Sequence, residues 1–292
     1  MNVIAILLVV ISAVFHSVKN ILTKQSSDKI LFLWWSTLFG LLYFSPVYFY
    51  FSSDYGLDYL NIISLSSISG LLHCFYWIYL AKAYEHGDLT IAYPIMRSSP
   101  PLVLLIAVIF LNEEPSIGGI IGIILVTTGI YSLSYNHIGI SQNTFFKKID
   151  INDKSIKYAL AGLVFITAYS IADKAMVDMI HPIQFVFLHM LSGFLFLSIY
   201  IMLKKDYAKI NQEFKLNKRN ILINGFFGIY GYSLIIIAFT MSSVSYIISL
   251  RQLSIVFVVL WGAFILKEKD QYRRLVSASI ITVGTVIISI LG

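Results

Sequence analysis

Arg97 and Arg251 are the residues of this 292-residue chain whose placement most demands a chemical explanation. Each lies within an apolar stretch long enough to cross a bilayer as a helix, Ile91–Glu114 (IAYPIMRSSPPLVLLIAVIFLNEE) and Tyr246–Lys269 (YIISLRQLSIVFVVLWGAFILKEK). Each sits about two turns from the start and several turns from the far end. An arginine near the hydrocarbon centre costs on the order of 2.5–3.5 kcal/mol on insertion scales. Snorkelling to an interface or bonding to a backbone carbonyl would be the bland outcome, and depth works against it. Two guanidinium groups held there point to a polar cavity. A guanidinium offers a bidentate fork to planar or tetrahedral oxyanions such as carboxylate, phosphate or phosphonate.

Other residues follow from these two. Gln252 adjoins Arg251, and Tyr93 lies one turn before Arg97 on the same helical face. The ionisable groups within or at the edges of apolar stretches are His16, Lys19, His73, Lys82, Arg97, Asp173, Lys174, His189 and Arg251, so bases outnumber acids. Among Phe75, Tyr76, Trp77, Tyr79, Tyr230 and Tyr232, the cavity wall is assigned to Tyr76, Trp77 and Tyr230, and His16 is added from the first stretch. Candidates for coupling or gating are Lys19, Asp173, Lys174 and the pair Pro100-Pro101, since proline within a helix removes a hydrogen bond and kinks it. Asp173 and Lys174 are helical neighbours about 100° apart and do not form a natural ion pair.

The elements that must position these groups are membrane helices. With 58% hydrophobic and 12% charged residues, and a mean hydropathy of +0.81, the chain is far from the composition of soluble domains. Ten spans are expected: Asn2–Leu22, Ile30–Phe51, Leu60–Tyr84, Leu89–Leu111, Ser116–Tyr135, Ile156–Asp178, Pro182–Leu203, Asn220–Thr240, Val244–Leu266 and Tyr272–Leu291. The first has no basic leader and reads as a retained span. Small residues Gly118, Gly119, Gly122 and Gly129 on the fifth favour close helix packing. A polar linker, residues 137–155, separates a first five-helix repeat (1–136) from a second (156–292), and Lys204–Arg219 reads as the longest basic loop.

The halves are copies. An offset of 155 residues superposes Lys19 on Lys174, Gly70 on Gly225, Ala83 on Ala238, Ser99 on Ser254, Leu105 on Leu260, Glu113 on Glu268 and Gly129 on Gly284, with Arg97 opposite Gln252. Because five is odd, the two copies enter the membrane in opposite senses. In such inverted repeats the substrate site is expected near the midplane, where the halves meet. Lysine and arginine fall almost entirely on one side, seventeen in the odd-numbered loops against Lys174 on the other. By the positive-inside rule both termini are non-cytoplasmic in a multi-pass protein of the plasma (inner) membrane.

Ten spans in two five-helix repeats, with the fourth and ninth ending Leu111-Asn112-Glu113 and Leu266-Lys267-Glu268, resemble the drug/metabolite transporter superfamily, specifically its ten-helix EamA-type members. The resemblance covers essentially the whole chain. It implies an all-α fold and transport of a small molecule, within a range spanning amino acids, organic anions, nucleotide sugars, vitamins, quaternary amines and drugs. Several ten-helix members place both termini in the cytoplasm, opposite to the charge bias here. Ser249-Leu250-Arg251-Gln252-Leu253-Ser254 also resembles a subgroup associated with phosphonate utilisation. The small multidrug exporters of the superfamily bind cations and protons through a glutamate in the first helix, where this chain has His16 and Lys19.

The combined expectation is a secondary transporter of a small anionic or zwitterionic metabolite, working by alternating access and coupled to protons or to exchange. The alternatives are an exporter of cationic drugs or quaternary amines, and a lipid-carrier flippase. No histidines at i,i+4 spacing, phosphate-binding glycine loop or serine elbow supports a metal, an ATP-driven step or an enzyme. No metal, cofactor or nucleic-acid partner is expected. The partners are the small-molecule substrate and the bilayer, a monomer suffices, and a dimer is left open. Cys74 stands alone, which rules out an intrachain disulfide.

Overall fold

The computed structural model describes residues 1–51, 59–86, 95–138, 153–204, 207–264 and 271–292. The loop from Ser52 to Asp58, the turn at Gly87-Asp88, Tyr93, most of the 137–155 linker and the Glu268 end of the ninth span lie outside them. All regular structure among the described residues is helical: α1 (Val3–Gln25), α2 (Lys29–Phe51), α3 (Tyr59–His86), α4 (Ser99–Phe110), α5 (Ile117–Ile138), α6 (Lys154–Val177), α7 (Pro182–Lys204), α8 (Tyr207–Phe239), α9 (Val244–Leu250), α10 (Leu253–Phe264) and α11 (Gln271–Leu291). Eight described helical stretches are long and apolar enough to cross a membrane, and the shorter Ile95–Phe110 and Ile117–Leu133 take the places of the fourth and fifth spans.

Packing follows the inverted duplication. The α3–α6 contact is repeated as α8–α1, and α3–α7 as α8–α2, while α2–α7 and α5–α11 each pair a helix with its own copy. The Met1 amine donates to the Gly292 carbonyl at 3.0 Å, which brings both termini to one face. Lipid is as apolar as leucine, so helix pairing here depends on close backbone approach and interhelical hydrogen bonds. A Cβ added to Gly225 on α8 would stand 2.7 Å from the Ser36 carbonyl oxygen, and one on Gly122 of α5 would stand 2.7 Å from the Gly284 carbonyl oxygen. Polar side chains join the same pairs. Ser12 donates to the Gly231 carbonyl at 2.6 Å, Trp34 Nε1 to Ser198 Oγ at 2.7 Å, and Asn224 Nδ2 to Ser36 Oγ at 3.1 Å.

Two expectations are corrected. The fourth and ninth spans are each broken at their arginine. Residues 95–97 are helical, Ser98 (φ −77, ψ 22) leaves the helix, and α4 starts at Ser99. Pro100 and Pro101 therefore occupy the first turn of a new half-helix, where a missing N–H costs nothing, and do not kink a continuous one. In the ninth span, Arg251 and Gln252 form the turn between α9 and α10.

The basic stretch after Lys204 is also not a loop. Tyr207 begins a helix that runs into the eighth span, interrupted at Asn217 (φ −121, ψ 17). Phe214 stacks on Phe39 at 5.8 Å between ring centroids and lies 4.6 Å from Trp35. Buried Glu213 accepts from the Asp28 backbone N–H at 3.0 Å and from Asn217 Nδ2 at 2.8 Å. Ile210 and Phe214, one turn apart, supply the apolar face that makes this segment a helix.

Candidate functional site

The ninth-span break is a tightening of the helix. Arg251 N–H still reaches the Ile247 carbonyl at 2.9 Å, but Gln252 N–H bonds Ser249 (3.1 Å), Ser254 N–H bonds Arg251 (3.1 Å) and Ile255 N–H bonds Gln252 (2.9 Å), all at i−3. Such a switch to i→i+3 bonding within a helix often marks a functional hinge. The Ile248 carbonyl, released from the ladder, takes the Gln252 amide at 3.4 Å. Interrupted backbone at membrane depth is tolerated where protein or a cavity surrounds it, and all of Val244–Gln252 is buried.

Arg251 is buried, at 8% exposure, and its Nη2 meets His16 Nε2 at 2.7 Å. Its guanidinium lies over the Tyr232 ring at 5.6 Å from the centroid, near enough for cation–π attraction. Its Nε has no hydrogen-bond partner, and neither does the buried Oε1 of Gln252. The charges of Arg251, Lys19 and Arg97 all act on His16, and those of Arg251 and Arg97 act on Lys19. Arg251 and His16 are in contact, and Lys19 and Arg97 lie within electrostatic reach of them. Arg97 is half-buried.

Lys19 lines a gap between the halves together with Ser36, Thr37, Trp77, Asn224 and Gly228. Its open space is about 20 Å³, room for about one water. At this point the halves are packed closely. A larger groove of about 480 Å³ lies outside, between α5 and α11, and among the described residues it is lined by Leu125, Tyr272, Leu275, Val276 and Val283.

Beside the basic group lies a polar cluster on α3, α6, α7 and α8. Asp173, fully buried, accepts hydrogen bonds from the Ser69 hydroxyl on Oδ1 and from the Tyr232 hydroxyl on Oδ2. His73 Nε2 is 3.9 Å from Asp173 Oδ2. The His73 ring stacks on Tyr169 at 3.8 Å and is 5.0 Å from the ring of His189. Tyr232 joins the two groups, with its ring on Arg251 and its hydroxyl on Asp173.

The remaining expected residues divide. Trp77 is buried edge-on to His73, and half-buried Tyr76 packs edge-on against Tyr169 at 5.5 Å. Tyr230 points elsewhere: its hydroxyl donates to the Tyr43 carbonyl at 3.1 Å and its ring packs on Phe44 and Phe226. Tyr232, two residues on and so about 200° around the helix, occupies the place assigned to Tyr230. Lys174 is separated from the cluster, its ammonium donating to the Phe239 carbonyl at 2.7 Å and to Asp178 at 3.1 Å. Tyr232, Tyr169, Ser69, His73 and His189 were missed as site residues. Ser69–His73 and Tyr169–Asp173 at i,i+4 were the available signal. No group of three or more histidine, cysteine or acidic residues among those described could hold a metal.

The sequence pattern of the EamA-like transporter family matches twice, over residues 3–135 and 153–290. No curated protein matches the chain in sequence. A solved structure titled only "Crystal structure of protein" superposes with a TM-score of 0.70 at 13% identity, covering 99% of this chain and 98% of that one. At that identity the likeness shows a shared fold.

Proposed function

The chain belongs to the EamA-like transporter family and so is a membrane transporter of the drug/metabolite transporter superfamily, and from that premise we propose that it carries a small anionic or zwitterionic metabolite by secondary active transport. The observation that carries the reading is the convergence of Arg251, Arg97, Lys19 and His16 on the break of the ninth span, with guanidinium and amide valences left unfilled. A carboxylate, phosphate or phosphonate satisfies them.

Substrate binds between the halves and is exposed to each side in turn by rocking about the inverted-repeat axis, driven by proton coupling or exchange. The nearly closed gap at Lys19 corresponds to an occluded stage of that cycle. Arg97, Arg251, Gln252, His16, Tyr76 and Trp77 contact or wall the substrate, with Tyr93 as an added contact from the fourth span. Lys19 and Asp173 serve coupling. The protein resides in the plasma membrane, and the seventeen-to-one lysine and arginine bias supports an orientation with both termini non-cytoplasmic. A cation exporter fits poorly, because the carboxylate of the cluster is engaged by two hydroxyls while Lys19 lines the gap.

Purified protein in liposomes should take up a labelled carboxylate or phosphonate saturably and exchange it against the same compound inside. Uptake confined to quaternary amines or lipophilic cations would replace this reading with drug export.

A further inference from the structure

The buried cluster around Asp173 holds more hydrogen-bond acceptors than donors. His73 Nδ1 lies 3.1 Å from the Ser69 carbonyl, and His189 Nδ1 lies 3.0 Å from the Phe185 carbonyl. A carbonyl can only accept, so each ring carries its proton on Nδ1 and presents a bare lone pair at Nε2. Both Nε2 atoms are buried without a partner, and His73 Nε2 is directed to within 3.9 Å of Asp173 Oδ2. The two available hydroxyls, Ser69 and Tyr232, already donate to the carboxyl. Two imidazole lone pairs are thus left without a donor in this buried cluster, and one proton held between His73 Nε2 and Asp173 Oδ2 would satisfy the first of them.

We propose that Asp173, His73 and His189 form a proton-binding site whose occupancy is linked through Tyr232 to anion binding at Arg251. This rests on the reading of Arg251 as an anion site. The groups acting on Asp173 are Ser69 and His73 of α3, Tyr169 of α6 itself, Tyr232 of α8 and Arg251 of the ninth span; His189 of α7 lies against His73, Tyr76 of α3 against Tyr169, and His16 and Lys19 of α1 with Arg97 act on one another and on Arg251. Lys174 is turned away, onto Phe239 and Asp178.

Without the proton, the carboxylate is a negative charge that acts on Arg251 and competes with a substrate anion. A proton shared by Asp173 and His73 neutralises the cluster, and the guanidinium is left to the anion. Each ligand therefore favours the other, and the favour is reciprocal. A monoanion and a proton bound in this way cross together with no net charge.

Infrared difference spectra of the purified full chain in lipid, acidic minus alkaline, test the site without any substrate. The wild type should show a protonated-carboxyl band that is lost in Asp173→Asn. The pH midpoint of that band should shift in Arg251→Gln and stay unchanged in Lys174→Gln. Methylphosphonate is the binding probe, and at one alkaline pH Asp173→Asn, which mimics the protonated carboxyl, should bind it roughly fivefold or more tightly than wild type. Should Asp173→Asn not fold, Tyr232→Phe, which keeps the ring on Arg251 and removes the hydroxyl from Asp173, should shift the same midpoint. A spectrum unchanged in Asp173→Asn, or a midpoint indifferent to both Arg251→Gln and Tyr232→Phe, overturns the proposal. A carboxyl that titrates as expected in a protein that binds no oxyanion overturns the anion reading of the cavity and leaves the proton site standing.

Discussion

The fourth and ninth spans occupy the same place in the two repeats, and both break at an arginine, yet the breaks are built differently. In the fourth, Pro100 and Pro101 stand in the first turn of α4, where their missing N–H groups interrupt no hydrogen bond. The ninth has no proline, and its turn is made by i→i+3 bonds and by the Gln252 amide on the Ile248 carbonyl. The surroundings differ as well. Arg251 is buried between His16 and Tyr232, whereas Arg97 is half-buried. Glu113, at the end of the fourth span, secures the ninth by accepting from Val244 N–H and Ser245 Oγ, both at 2.6 Å. The two arginines are thus not strict copies, Arg97 standing opposite Gln252, and packing buries Arg251 more deeply than Arg97, which on the proposed reading makes Arg251 the anchor and Arg97 the secondary contact.

The largest effect should separate those roles. Arg251→Ala removes a buried charge from its partners and should weaken anion binding by about 3 kcal/mol, roughly a hundredfold. Arg97→Ala should cost about tenfold. Equal losses, read by equilibrium binding, would erase the distinction between anchor and partner.

Within the ninth-span site, Tyr232→Leu forfeits a cation–π contact worth about 0.5–2 kcal/mol and should weaken binding several-fold. Tyr230→Leu, on the opposite side of α8, should leave the dissociation constant where it is. A reversal of the two would move the cavity to the other face of that helix.

Smaller still, Glu113→Ala removes the cap on α9 and should lower unfolding stability by about 1 kcal/mol, visible as a reduced Tm with binding largely retained. The smallest change is expected from Pro100→Ala with Pro101→Ala. Prolines in a first turn interrupt no hydrogen bond, so stability should move by no more than about 0.5 kcal/mol. A loss of several times that would mean the prolines hold the break open against a competing straight helix.

The sequence made the membrane class, the repeat and the arginines legible because each is written in periodicity or composition. Both breaks were harder to read. The prolines at 100 and 101 were visible, but a proline pair alone does not distinguish a kink from a fresh start. The ninth-span break leaves no residue signal at all, being a choice between two hydrogen-bond ladders that the same side chains permit. The polar cluster failed for another reason: Ser69, His73, Tyr169 and Asp173 come from two helices far apart in sequence, and their meeting depends on the α3–α6 packing. Tyr230 and Tyr232 could not be ranked without knowing which face of α8 turns inward. Asn112 is a case where local chemistry was sufficient. It adopts φ 51, the left-handed conformation tolerated by asparagine after a helix end, and lets Glu113 N–H close back on the Ala107 carbonyl at 3.2 Å.

Thermal unfolding of the purified protein with carboxylates, phosphates, phosphonates, quaternary amines and lipophilic cations, run beside Arg97→Ala and Arg251→Ala, tests the central claim most directly. A compound at a hundred times its dissociation constant adds about 2.7 kcal/mol of stability. The account predicts a rise in Tm with one or more oxyanions that disappears in Arg251→Ala and shrinks in Arg97→Ala. Stabilisation by cations that persists unchanged in both variants would contradict it.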